Sequence, residues 1–211
     1  AYYRGGRRAP PYREAGAVHS RMEDYARLLT PLGYVCFVIE YRLAPELPKT
    51  NVPLGSTLLQ DPDEAISPAG IARTNFVRSD MGLPILSEDE TRALTWSALL
   101  SAAEDVEKAV DYVRANAAAY NVDPDRIAIG GHSAGAGATI NATYGLRAKV
   151  KASFPLSPPV LGFEIAEIFQ DPNLPPTLLV LSQNDLEAVS ESIPPMIVEM
   201  QKANHDYELV W

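Results

Sequence analysis

The chain has 211 residues, 46% of them apolar and 21% charged, which is enough for one domain with a full hydrophobic core and argues against disorder. Its 18 Lys and Arg against 27 Asp and Glu leave a formal charge of −9, which excludes the positive field that nucleic acid or an anionic membrane surface calls for. A single cysteine, Cys36, excludes an intrachain disulfide and a cysteine-built metal site and leaves the compartment open with a lean to the cytoplasm. No stretch approaches the ~18 consecutive apolar residues of a membrane span.

In chain order, Val18, Met22, Tyr25 and Leu29 recur at steps of four, three and four and predict a helix over 14–29 with one apolar face. Thr30-Pro31-Leu32-Gly33 closes it. Tyr34 to Glu40 (YVCFVIE) is a short β-branched and aromatic run that reads as a strand covered on both faces. Leu43 to Ser87 departs from this rhythm, with prolines at 45, 48, 53, 62, 68 and 84 and a weak helical signal around Glu64 to Arg78. A connection of that length far exceeds the usual ~2 to 6 residues, so it reads as an excursion beside a site. Within it Phe76, Met81, Leu83 and Ile85 are candidates for a lid or pocket wall, against the alternative of a structural wrap on outer helices.

Ser87-Glu88-Asp89-Glu90 is a capping-box pattern. It starts a helix whose apolar stripe is Trp96, Leu99, Leu100, Ala103, Val106, Val110 and Val113, and Asn121-Val122-Asp123-Pro124 ends it. Strands are expected at Arg126–Gly131, Val150–Leu156, Thr177–Ser182 and Tyr207–Trp211, and helices at Ser133–Tyr144 and Ser190–Asn204. The alternation argues for a single α/β domain over 1–211, a mainly parallel sheet with helices on both faces.

Gly131-His132-Ser133-Ala134-Gly135 lies between a buried strand and a helix rich in small residues. That is the setting of a nucleophile elbow, a sharp strand-to-helix turn that lifts a serine hydroxyl clear of the sheet. There the Ala134 N–H, at the positive end of the helix, is placed to stabilise a developing oxyanion.

With Tyr41-Arg42-Leu43-Ala44-Pro45-Glu46 and Asp123-Pro124-Asp125-Arg126-Ile127-Ala128, the elbow resembles the hormone-sensitive-lipase-like carboxylesterases of the α/β-hydrolase fold. The resemblance spans the chain apart from residues 43 to 95. It implies Ser133 as nucleophile and Asp185 as the acid that orients a catalytic histidine. Of the three histidines, His19 falls in the first expected helix and His132 occupies the variable position of the elbow. His205 falls at the turn before the last strand and reads as a surface residue. The resemblance puts the catalytic histidine after the last strand and a Gly-rich oxyanion loop ahead of Ala1, with Gly5-Gly6 the only local substitute. Both are therefore expected outside these residues, and the chain reads as an internal part of an esterase. The resemblance also implies that Arg42 is structural, tying loops together with Glu46 or Asp105 as candidate partners, rather than a clamp for a substrate carboxylate.

The implied chemistry is hydrolysis of a small-molecule carboxylic ester through an acyl-enzyme, with no metal or organic cofactor. A small-amide hydrolase of the arylformamidase type and a non-catalytic small-molecule receptor of the same fold are the alternatives.

Overall fold

The first half of the chain supplies few strands. In the computed structural model, which describes residues 13–14, 17–18 and 22–211, β1 (Arg13–Glu14) and β2 (Ala17–Val18) form a short antiparallel pair. Helix α1 runs from Met22 to Leu29. The helix expected from residue 14 thus begins later, because Gly16 and β-branched Val18 are weak helix formers and Val18 is taken into β2. A 3-10 turn at Thr30–Leu32 comes next, and Gly33 closes it at φ 90°, donating its N–H to the Thr30 carbonyl at 3.0 Å. That left-handed backbone suits glycine.

Tyr34 to Glu40, expected as a strand, forms none among the described residues, and Tyr34, Val35 and Phe37 are exposed. The residue types favour a pleated, half-buried surface, but a strand needs a neighbour to complete its ladder. Ile39 and Tyr41 nonetheless pack on a small cluster of Ala102, Val106 and Ala138.

The excursion holds α2 (Pro62–Ala65) and α3 (Pro68–Asp80). Helix α4 (Glu88–Ala115) starts as expected: the Glu90 N–H bonds the Ser87 hydroxyl at 3.3 Å, and the Glu90 carboxylate accepts the Ser87 N–H at 2.9 Å. It buries Trp96, Leu99, Leu100, Val106 and Val110. A short α5 (Ala117–Tyr120) ends at Asn121, which is left-handed at φ 52°.

From there strand and helix alternate: β3 (Ala128–His132), α6 (Ala134–Ile140), β4 (Ala152–Leu156), α7 (Ile165–Ile168), β5 (Thr177–Val180), α8 (Glu187–Lys202) and β6 (Tyr207–Val210). The four strands pair in the order β3-β4-β5-β6, all parallel. Helix α6 runs into a π-helical turn at Asn141–Gly145, in which the Leu146 N–H reaches five residues back to the Asn141 carbonyl at 2.9 Å.

Side chains alternate across the sheet. One face carries Ile129, Ser153, Thr177 and Leu179, and α4, α6 and α8 bury it. Ile140 and Tyr144 join Leu179, Ile193, Met196 and Met200 in the main core. On the opposite face Phe154 is half-buried, and Leu178 and Val210 are exposed. Among the described residues, the helices that bury the sheet therefore cover one of its faces.

Candidate active site

Because the four strands are parallel, their carboxyl ends share one edge, the edge on which open α/β sheets bind ligands. Ser133 comes directly after β3 there, at φ 54° and ψ −117°, a backbone conformation that a residue with a Cβ rarely adopts. Two bonds hold it in place: its N–H donates to the Leu156 carbonyl of β4 at 3.0 Å, and its carbonyl accepts the Gly137 N–H at 3.0 Å. The turn can be this tight because of Gly131. A Cβ at that position would lie 2.5 Å from the carbonyl carbon and oxygen of Gly135, whereas one at Gly135 would meet nothing within 4 Å. Only the first of the two flanking glycines is required by packing. Ala134 is the first residue of α6 and is buried; N–H groups of a first helical turn have no acceptor within their own helix.

Asp185 stands past β5 on the same edge. Its Oδ1 accepts the Leu186 N–H at 2.8 Å, while its Oδ2 is buried without a partner among the described residues. With Leu181, Val189, Ile193, Ile197 and Trp211 it lines a cavity of about 340 Å³. Ser133 follows β3 directly and Asp185 lies in the loop past β5, with β4 between their two strands.

Neither described histidine occupies that gap. His132 ends β3 exposed, on the sheet face away from α6. His205 precedes β6 and so belongs to the opposite edge. It is at the expected turn but half-buried rather than on the surface, edge-on to the rings of Tyr144 and Phe169, with Nε2 3.2 Å from the Tyr144 hydroxyl. Burial pulls its pKa below the ordinary histidine value, with Asp206 opposing. His19, Gly5 and Gly6 lie outside the described residues. No group of three or more His, Cys, Asp or Glu among the described residues could hold a metal ion, and no helix among them is long and apolar enough to cross a membrane.

Arg42 is structural, as expected, and Asp105 is one of its partners. Its Nε and backbone N–H each meet Asp105 Oδ2 at 2.9 Å, while Nη2 donates to Glu104 at 2.8 Å and Nη1 to the Lys49 carbonyl at 2.8 Å. Glu46 instead caps its own turn, accepting the Leu43 N–H at 2.7 Å. Glu104, the more deeply buried of the two carboxylates on Arg42, was not singled out by the sequence among the acids of α4. A second residue the sequence did not disclose is Ser157, just past β4, which is left-handed at φ 49°.

The excursion is fixed to α4 and to the segment after β4. Gln60 and Gly162 exchange bonds of 3.2 and 2.8 Å, and Leu59 bridges Phe163. Of the candidate lid residues, Phe76 is 64% and Ile85 69% exposed, Met81 is exposed and Leu83 half-buried.

A parallel sheet that ends one strand in a strained serine and turns directly into a helix decides the architecture. The chain has the α/β-hydrolase fold. A family model described as BD-FAE matches residues 88–156 of it, from the start of α4 to the end of β4. No curated protein matches. Among solved structures, a truncated carbohydrate esterase from gut microbiota is 18% identical, with a TM-score of 0.43 over 53% of this chain and 59% of that one. An α/β hydrolase enzyme from a Medee basin deep-sea metagenome library is 22% identical, with a TM-score of 0.44 over 51% and 46%. A thermophilic esterase from the Planctomycetes species Thermogutta terrifontis is 22% identical, with a TM-score of 0.44 over 53% and 52%. The chain thus spans about half the length of the solved structures it matches.

Proposed function

We propose that the protein is a serine esterase related to the hormone-sensitive-lipase-like carboxylesterases, with a small-molecule ester as substrate. The observation that carries this reading is the strained backbone of Ser133 at the strand-to-helix turn, since such strain persists only where the surroundings enforce it and it clusters at working sites. In this mechanism the Ser133 hydroxyl attacks the ester carbonyl while a histidine at the open edge takes its proton. Asp185 Oδ2, buried and unpartnered among the described residues, accepts the other N–H of that imidazole and holds it in register. The Ala134 N–H stabilises the oxyanion. The alcohol leaves with the proton, and water hydrolyses the acyl-enzyme by the same steps in reverse. No cofactor is needed for these steps.

In the full-length protein a fluorophosphonate probe is expected to label Ser133, and Ser133→Ala to abolish labelling and lower turnover by about 10³ or more. Labelling at another residue would remove Ser133 from the mechanism. An unlabelled protein that still binds small molecules would be a receptor of the same fold.

A further inference from the structure

Three backbone donors carry the sheet one residue beyond its strands. The Ser133 N–H reaches the Leu156 carbonyl at 3.0 Å, the Ser157 N–H the Val180 carbonyl at 2.8 Å, and the Leu181 N–H the Val210 carbonyl at 2.9 Å. His132 pairs with Leu156, Leu156 with Val180, and Val180 with Val210. The next positions, Ser133, Ser157, Leu181 and Trp211, therefore form one row across the carboxyl edge. Neighbours in such a row are about 4.8 Å apart, so Ser157 stands directly beside Ser133, on the side of Asp185.

Ser157 shares a second property with Ser133. Both are serines held at positive φ, 49° and 54°, where glycine would be free of strain. Ser157 is half-buried and leads into buried Pro158. Ser157 thus combines a left-handed backbone and a half-buried side chain with a place next to the nucleophile position.

We propose that Ser157 is a substrate-contacting residue of this site, its hydroxyl donating a hydrogen bond to the alcohol-side oxygen of the ester bound at Ser133. The inference rests on the esterase reading above. The Ala134 N–H approaches Ser133 from the helix and Ser157 from the sheet, so the two donors meet different oxygens of a tetrahedral adduct. With Ala134 on the carbonyl oxygen, the leaving oxygen falls to Ser157. When the carbon–oxygen bond breaks, the proton that the alcohol takes comes from the histidine. Ser157 keeps its own proton and lowers the charge that builds on the leaving oxygen.

The test compares Ser157→Ala and Ser157→Gly in the full-length protein, on an alkyl ester and a p-nitrophenyl ester of the same acid, after labelling has established Ser133 as nucleophile. For the alkyl ester kcat/KM is expected to fall about tenfold in both variants, the loss of one neutral hydrogen bond. For the p-nitrophenyl ester it should fall less than about twofold, because nitrophenolate departs without a donor. A packing defect would lower both substrates together. Ser157→Gly is also expected to melt higher than Ser157→Ala, because it relieves the strain, and it carries the kinetic test if the alanine variant does not fold. Equal losses on the two esters, or none on either, would overturn the role of Ser157 while leaving Ser133 in place. Absence of labelling at Ser133 would overturn the esterase reading and this inference with it.

Discussion

Glu104 shows how much a single side chain can hold. It is 5% exposed and accepts hydrogen bonds from Arg42 Nη2 and the Thr50 hydroxyl, both at 2.8 Å, from the Val52 N–H at 3.0 Å and from the Asn51 N–H. Burial alone would push its carboxyl up, but Arg42, Thr50 and the two backbone donors outweigh it and hold the pKa below 4.5. Because the folded value is depressed, the stabilisation is complete above the unfolded value near 4.5 and is lost as pH falls through the folded one. Glu104→Ala leaves Arg42 and the loop donors short of a partner, and urea unfolding at pH 7 should show a loss of about 3 kcal/mol. The gap to the unmodified protein should narrow as pH drops below 4.5. Arg42 was recognisable as structural through the family resemblance, in which this arginine ties loops together, and because a buried guanidinium left unpaired is costly. Which of Glu104, Asp105 and Glu107 turns inward depends on the docking angle of α4, which no local pattern encodes. Ser157 was unreadable for a similar reason: its place beside Ser133 depends on β4 pairing with β3 and β5.

At the scale of elements, the contact between β3 and α6 is where the backbone tolerates least. A Cβ at Gly131 would sit 2.5 Å from the carbonyl of Gly135 and 3.0 Å from the Ala136 N, all main-chain atoms that cannot rotate away. Gly131→Ala is therefore expected to cost about 3 kcal/mol or more and to displace Ser133. Circular dichroism melts and probe labelling would register the two effects, and labelling at the original rate would show that the turn can widen. Elements with a strong local signature were legible: the capping box at Ser87, the apolar stripe of α4, the short strand runs of β3, β4 and β5, although β3 is less buried than expected. Tyr34 to Glu40 misled because β-branched composition fits a strand, while the strand itself depends on a neighbour that composition does not specify. Helix α8, expected at Ser190–Asn204, runs from Glu187 to Lys202 with Pro194 and Pro195 inside it and buries Ile193, Met196 and Met200.

At the scale of the molecule, the long excursion acts as a strap over α4. Asn75 ties it to Leu86 with bonds of 3.0 and 3.1 Å and to the Thr91 hydroxyl at 3.2 Å, so the segment folds back onto the start of that helix. With Phe76 and Met81 on its outer side, the double substitution Phe76→Ala and Met81→Ala is expected to leave the preference between short and medium acyl chains unchanged in the full-length protein. A methylene buried against either side chain would be worth about 0.8 kcal/mol, close to fourfold in kcat/KM per carbon, and such a change would make the segment a pocket wall. The π-helical turn after α6 has a consequence for how the chain can vary in length. A π turn is an α-helix with one residue inserted, and this one contains Tyr144, whose hydroxyl reaches the Pro175 carbonyl and His205. Deleting a single residue between Asn141 and Thr143 would turn the Leu146-to-Asn141 bond into an ordinary α-helical one, so the positions after the deletion, Tyr144 among them, would stay where they are. Relatives one residue shorter here could therefore keep the same tyrosine contact with the far edge of the sheet, and an alignment would have to put the gap ahead of Tyr144 to show it.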